Sequence, residues 1–408
     1  MLARLLDDSY PQAVRDDIVS LTVARFTSNA VYRYAPPFLA IIARGLDVEL
    51  SDLGVALAVT ELCGLTSPAL GRIVDRLPRR QSMIGGLLGI AAGAVTAGAS
   101  TGLVMFAVGL FVVALAKIVF DVGLATWVAD HVQYERRGRV SGLIETSWAF
   151  GLLIGVSALG LVTAASSWRW GYVAGAGAVL TMVAVLLRRL RVEPATVLPD
   201  NVEPPAVPQL EREVVGRMLF TGWLAVAGMF GLMSAAQTLF ITFGPWLEDE
   251  FGVSTIGLVA VTFGIGGLEL VASTTSAART DHWGKERSVV LGAAIMVPTG
   301  LALAALDSSL VPGLILLGVF IGGFEFGIVS AIPIGPTLVP GAPGRGLGTM
   351  IAFGTLGRGA MAIVATRLFE SYGLGPVAVL GALLGALAGV AMWTRQRLLH
   401  PQPSIARR

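Results

Sequence analysis

Gly71-Arg-Ile-Val-Asp75-Arg-Leu-Pro-Arg-Arg80 returns in degenerate form as Ala277-Ala-Arg-Thr-Asp281-His-Trp-Gly-Lys-Glu-Arg287. A second pair, Arg137-Gly-Arg-Val-Ser-Gly142 and Pro343-Gly-Arg-Gly-Leu-Gly348, keeps the same separation: 281 − 75 = 206 and 345 − 139 = 206. Half of 408 is 204, so the chain reads as one unit written twice. Each copy lies in a short loop between long apolar runs. That pattern is a duplicated helical bundle with basic loops.

Composition names the solvent. The chain is 54% hydrophobic and only 14% charged, with a mean hydropathy of +0.75. Soluble domains carry about 25% charged residues, so a lipid bilayer is the expected surrounding. A net charge of +2 with no concentrated basic region excludes nucleic acid as a partner. Cys63 is the single cysteine, so neither an internal disulfide nor a cysteine-based metal site is expected. Asp7, Asp8, Asp16 and Asp17 precede the first apolar run. This acidic lead is unlike a signal peptide, and the first run is expected to stay as a transmembrane helix.

A helix needs about 20 apolar residues to cross a bilayer. Twelve candidate spans follow: 18–43, 52–71, 81–100, 103–129, 140–164, 171–190, 217–243, 254–276, 288–306, 310–334, 346–366 and 375–394. Period-2 alternation is missing, which excludes a barrel and leaves helices. The expected fold is therefore an all-α membrane protein with twelve transmembrane helices in two pseudo-symmetric six-helix bundles, residues 1–190 and 217–408. Residues 191–216, with Pro194, Pro199, Pro204, Pro205 and Pro208, form the linker. Gly85, Gly86, Gly89 and Gly93 suit close helix contacts.

Twenty-two of the 29 basic residues fall on the side of the two termini, against Arg44, Arg169 and Arg367 on the other. The positive-inside rule then places both termini and the linker in the cytoplasm of a cell inner (plasma) membrane.

The remaining four basic residues, Arg25, Arg33, Lys117 and Arg358, lie inside spans, with five acids: Glu61, Asp121, Glu145, Glu269 and Glu325. Each is costly against lipid and should face protein or water. None is on the third, sixth, ninth or twelfth span, so every third helix is expected to be peripheral. At about 1.5 Å per residue, Arg25 lies roughly 10 Å into its span, Glu145 roughly 9 Å, and Asp121 near the cytoplasmic end of its own. These three are expected to cluster. Lys117 and Asp121, four apart, share a helix face, as do Arg25, Asn29 and Arg33. Glu325 and Arg358 fall at similar depth and are expected to pair. Counted by halves, the first balances three against three and the second has a spare carboxylate, a candidate proton carrier. Lys117–Asp121 reads equally as a static pair, and Arg25 also as a snorkelling residue.

The chain at this point resembles the major facilitator superfamily. Gly71-x-x-x-Asp75-Arg76-x-x-Arg79-Arg80 is close to that family's loop motif, with Pro78 in place of its glycine, and Arg136-Arg137-Gly138-Arg139 is similar to a second loop. The resemblance implies two six-helix bundles rocking about a central cavity, usually in a monomer. It implies that Gly71, Asp75, Arg76, Arg79 and Asp281 form a conformational gate loop. A likeness to drug–proton antiporters rests on Gly151-x-x-x-Gly155, although Val156 and Leu159 replace their proline and glycine.

The function expected is a secondary active transporter: proton-coupled efflux of a small organic or drug-like solute by alternating access. Proton-coupling candidates are Asp121, Glu325, Glu269 and Glu145. Cavity candidates are Arg25, Asn29, Arg33, Lys117, Trp148, Gln237 and Arg358. An organic-anion or sugar uptake or exchange transporter stays open, as does a non-transporting membrane sensor. No H-E-x-x-H, G-x-S-x-G or P-loop is present, so neither an enzyme nor a cofactor is expected.

Overall fold

The structure, a computed structural model, describes residues 10, 12–132, 137–190, 217–340 and 342–399. The linker at 191–216 and Arg136 lie outside the described residues. Among the described residues every regular element is helical: Gln12–Tyr32 (α1), Leu39–Leu46 (α2), Leu50–Leu62 (α3), Ser67–Asp75 (α4), Arg79–Gly98 (α5), Leu103–His131 (α6), Arg137–Phe150 (α7), Ser157–Ala165 (α8), Trp168–Arg189 (α9), Phe220–Phe251 (α10), Thr255–Trp283 (α11), Lys285–Ala305 (α12), Leu310–Ala331 (α13), Pro343–Tyr372 (α14) and Leu374–Leu399 (α15). A π-helical turn, Gly151–Val156, joins α7 to α8. Among the described residues ten helices are long and apolar enough to cross a membrane.

Two apolar runs are not the single helices that hydropathy predicts. The first stops at Tyr32 and resumes through a 3₁₀ turn, Pro36–Phe38, into α2. Pro36 and Pro37 lack N–H donors, and a proline disfavours helix in the residue before it. The second breaks at a 3₁₀ turn, Cys63–Thr66, ahead of Pro68 in the first turn of α4. Aromatic packing fills the first break. The Tyr34 ring meets Tyr172 edge-on at 4.7 Å and Phe38 at 5.2 Å, and its hydroxyl contacts Thr163 Oγ1 and donates to the Trp168 carbonyl at 3.1 Å.

The repeat reappears in helix starts. α5 and α12 begin 285 − 79 = 206 residues apart, α7 and α14 343 − 137 = 206, and α9 and α15 374 − 168 = 206. Packing repeats with it. A Cβ on Gly86 of α5 would stand 2.7 Å from the Phe120 backbone nitrogen of α6. A Cβ on Gly292 of α12, 292 − 86 = 206 residues later, would stand 2.6 Å from the Gly323 carbonyl of α13. Glycine at both positions lets two helix backbones touch, the usual basis of helix association in lipid. Within its unit the third span is closely packed: 61% of α5's apolar window is buried, against 44% for α6.

The chain forms two compact units. One comprises the residues up to Asp200 with Phe243–Leu270; the other comprises Asn201–Thr242 with Val271–Arg408. The end of α10 and the start of α11 thus pack with the first unit.

Candidate functional site

Charge is gathered in the first unit along one face of α1. Arg25 reaches α6 and α7 together. Its Nε lies 3.4 Å from Asp121 Oδ1, and its Nη1 lies 2.9 Å from Glu145 Oε1 and donates to the Ile144 carbonyl at 3.3 Å. Lys117 Nζ, one turn before Asp121 on α6, grips the second Asp121 oxygen. Two cations therefore share Asp121, and Glu145 completes a neutral group of four. Arg25 and Lys117 are 13% and 7% exposed, but Asp121 is 33% and Glu145 62% exposed. The acids of the group are thus more accessible than its bases. A proton taken by either acid would leave the group with an unbalanced positive charge.

Further along α1, Asn29 Nδ2 donates to Ser147 Oγ at 3.2 Å, while its Oδ1, buried, has no hydrogen-bond partner among the described residues. One turn on, just past the end of α1, Arg33 Nη1 donates to the Trp148 carbonyl at 3.1 Å and its guanidinium lies 4.5 Å above the Trp148 ring. Glu269 of α11 takes Arg33 with both oxygens, at 2.6 and 2.9 Å. Glu269 is fully buried and Arg33 only 10% exposed. Every fourth residue along this stretch thus docks on α7: Arg25 on Ile144, Asn29 on Ser147, Arg33 on Trp148. Past the other end, Arg44 pairs with Glu248 and, at 3.7 Å, with Asp249.

The Arg33–Glu269 pair corrects the count made by halves. Glu269 belongs with the first unit. That unit then holds Glu61, Asp121, Glu145 and Glu269 against Arg25, Arg33 and Lys117, while the second holds Glu325 and Arg358. The spare acid is therefore in the first unit. Glu61, 8% exposed, receives the Tyr32 hydroxyl at 3.5 Å.

In the second unit, Glu325 of α13 is 4% exposed and accepts a hydrogen bond from Ser273 Oγ at 2.6 Å. Gln237 is buried in α10, and Arg358 stands half-buried on α14. Sequence reading missed Ser147 and Ser273, and also a buried knot of hydroxyls, Ser276, Thr280 and Ser330, with mutual distances of 2.8–3.1 Å. The available signal was the spacing of Glu269, Ser273, Ser276 and Thr280 along one face of α11.

Of the gate-loop residues, Gly71 and Asp75 fall in α4 and Asp281 in α11. Beyond that backbone placement these three lie outside the described residues. Arg76 is exposed. Arg79 Nε pairs with Asp130 at 2.8 Å, and its Nη1 donates to the Val74 carbonyl at 3.3 Å, tying α4, α5 and α6 together.

The scaffold repeats but its buried charges do not. A step of 206 residues takes Arg25 to Gly231, Arg33 to Leu239, Glu61 to Gly267, Lys117 to Gly323, Asp121 to Gly327 and Glu145 to Ile351. In the other direction it takes Glu269 to Cys63, Glu325 to Val119 and Arg358 to Leu152. A charge required by the helical frame would be expected in both copies.

Long apolar helices that carry a buried ion pair, Arg33–Glu269, define a multi-pass membrane protein. A profile of the Major Facilitator Superfamily matches residues 21–338, and the chain belongs to that family. It is 23% identical over 294 residues to "Uncharacterized MFS-type transporter YwfA" of Bacillus subtilis (strain 168), covering 68% of this chain and 67% of that protein. Two of the solved structures that share its fold match nearly the whole chain. Both are of a bacterial homolog to the human lysosomal transporter Spinster in an inward-facing conformation. The unoccupied form is 12% identical with a TM-score of 0.76, covering 97% of this chain and 99% of that one. The occupied form is 14% identical with a TM-score of 0.72, covering 95% and 98%.

Proposed function

We propose that this chain is a secondary active transporter that moves a small organic or drug-like solute outward in exchange for protons. The observation that carries this reading is the group Arg25–Asp121–Lys117–Glu145, in which two accessible carboxylates neutralise two buried cations. Protonating Asp121 removes the negative charge that Arg25 and Lys117 share, so a proton and a solute that needs that charge become alternatives at one place. Exchange then follows if each ligand binds the inward- and outward-facing states with different strength.

Residues 1–190 and 217–408 act in this reading as six-helix bundles, twelve spans in all, joined by the cytoplasmic linker at 191–216. Both termini are cytoplasmic, the membrane is the inner one and the working unit is a monomer. Arg33–Glu269 serves as a latch that holds the start of α11 against α1 and α7, and must open as access alternates. Asp75 and Asp281, with Gly71, Arg76 and Arg79, set the opposing gate. Gln237, Arg358 and Asn29 offer polar contacts to the solute. Glu325, hydrogen-bonded by Ser273, is a second proton site. Organic-anion uptake is less well supported, because carboxylates already hold both Arg25 and Arg33.

The test is solute flux in proteoliposomes under an imposed pH gradient. A gradient should drive concentrative uptake into vesicles loaded at low internal pH. Flux indifferent to the gradient would refute proton coupling.

A further inference from the structure

A polar site separate from the intramembrane ion pairs lies in the first unit, where helix ends meet. A cavity of about 370 Å³ opens between the start of α1, the start of α5 and the ends of α6 and α9. Asp16, Asp17, Arg79, Arg80, His131 and Arg189 line it. Arg79 is matched by Asp130 at 2.8 Å, and His131 stacks on Trp127 with ring centroids 4.4 Å apart. Arg80 donates Nη2 to the Leu187 carbonyl at 2.7 Å, yet its Nε is buried without a hydrogen-bond partner. Among the described residues no acid pairs with Arg80 or Arg189.

The second copy shows what belongs in this place. The 206-residue step takes Arg189 to Arg395, since 395 − 189 = 206, and Arg80 to Glu286, since 286 − 80 = 206. Arg395 is 6% exposed. Its Nε meets Glu286 Oε1 at 3.2 Å and its Nη1 donates to the Thr221 carbonyl at 2.6 Å, binding α15 to α12 and to the start of α10. In the first copy the glutamate has become Arg80, so two guanidinium groups stand where the second copy has an arginine and a carboxylate. Guanidinium groups that no carboxylate holds offer planar donors that match the oxygens of a phosphate group.

We propose that this cavity binds a phosphate group, held by Arg80 and Arg189 in the role that Glu286 fills in the second copy. Asp16 and Asp17 stand on the α1 wall, so a headgroup with an ammonium beside its phosphate meets both signs of charge. Four helix ends set the cavity at the level of lipid headgroups, where basic pockets between spans take up phospholipid. Bound there, the phosphate would tie α5 to α9 as the second copy's ion pair ties α12 to α15.

The full chain is purified in a phosphate-free detergent, and its melting temperature is read alone, with inorganic phosphate, with phosphatidylethanolamine, and with a phosphate-free glycolipid as the lipid control. Lipid retained by the protein is counted by native mass spectrometry. Phosphatidylethanolamine should raise the melting temperature by several degrees and the glycolipid should not. A response to inorganic phosphate with no retained phospholipid would assign the site to the free ion. Arg80→Ala should cut retention about tenfold, the loss of one charge-assisted contact. Arg80→Glu rebuilds the second copy's pair and should melt like the lipid-loaded wild type with no phosphate present. A wild type that answers neither probe, or Arg80→Glu and Arg189→Ala proteins that answer as fully as the wild type, would overturn the proposal.

Discussion

Arg33 and Glu269 stand 236 residues apart in sequence and meet through two hydrogen bonds of 2.9 and 2.6 Å, with the carboxylate fully buried. Trp148 closes the arrangement from α7, offering its carbonyl to the same guanidinium and its ring beneath it. Removing either partner leaves the other charge buried and uncompensated. Glu269→Ala and Arg33→Ala should each destabilise the protein by roughly 3 kcal/mol, while replacing both with leucine should recover most of the loss. Melting curves of the two single variants and the double variant in detergent measure this. A double variant as unstable as the two losses summed would mean that the pair is not one interacting unit.

Glycine substitutions test the repeated helix contact. Gly86→Ala and Gly292→Ala each drive a methyl group into facing backbone, at 2.7 and 2.6 Å, and should cost about 1–3 kcal/mol. Gly85, one residue away, has nothing within 4 Å of an added Cβ. Gly85→Ala should therefore be neutral or slightly stabilising, because alanine is the better helix former. Thermal unfolding of the three proteins separates a contact effect from a general intolerance of side chains on α5.

Much of this is legible in the sequence. The repeat of 206 residues carries the helix register, because the loop motifs mark helix starts. Arg25, Asp121 and Glu145 were brought together by depth alone, since a helix rises by a fixed amount per residue. Partner choice across the chain was not legible. Depth puts Glu269 near mid-span but says nothing of its helix's neighbours, so a count by halves left it as the spare acid when Arg33 holds it. The breaks at Pro36-Pro37 and Pro68 were written in the sequence, yet hydropathy averages over them. Spacing sets Ser276 and Thr280 on one face of α11 but does not bring Ser330 of α13 to them, because a serine in an apolar helix usually bonds its own backbone, as Ser330 also does to Phe326 at 2.9 Å.

Arg44 faces two acids with different surroundings. Glu248 is 9% exposed and Asp249 59%. An exposed ion pair is worth about 0–1 kcal/mol and fades with salt. Asp249→Ala should therefore shift the melting temperature by a degree or less, and Glu248→Ala by several degrees. Repeating the Asp249→Ala comparison at high ionic strength should erase the smaller difference; if it persists, Asp249 acts by something other than its charge.

Asp121 and Glu145 separate the coupling reading from a purely structural one. Both contact Arg25, but only Asp121 also holds Lys117, and Glu145 is nearly twice as exposed at 62% against 33%. Asp121→Asn removes the shared negative charge while keeping the shape, and leaves Arg25 and Lys117 with Glu145 alone. Uptake driven by a pH gradient should fall by about a hundredfold or more, the range for losing a positioned proton-transfer group. Solute exchange without a gradient should persist, because it needs no net proton movement. Glu145→Gln should weaken driven flux less, since Asp121 still neutralises one cation. A structural role predicts the opposite pattern: Asp121→Asn would lower the melting temperature and depress driven flux and exchange by the same factor. Measuring both fluxes and the melting temperature on one preparation decides between the two, and equal loss of the fluxes in a protein that melts normally would exclude Asp121 as the proton carrier.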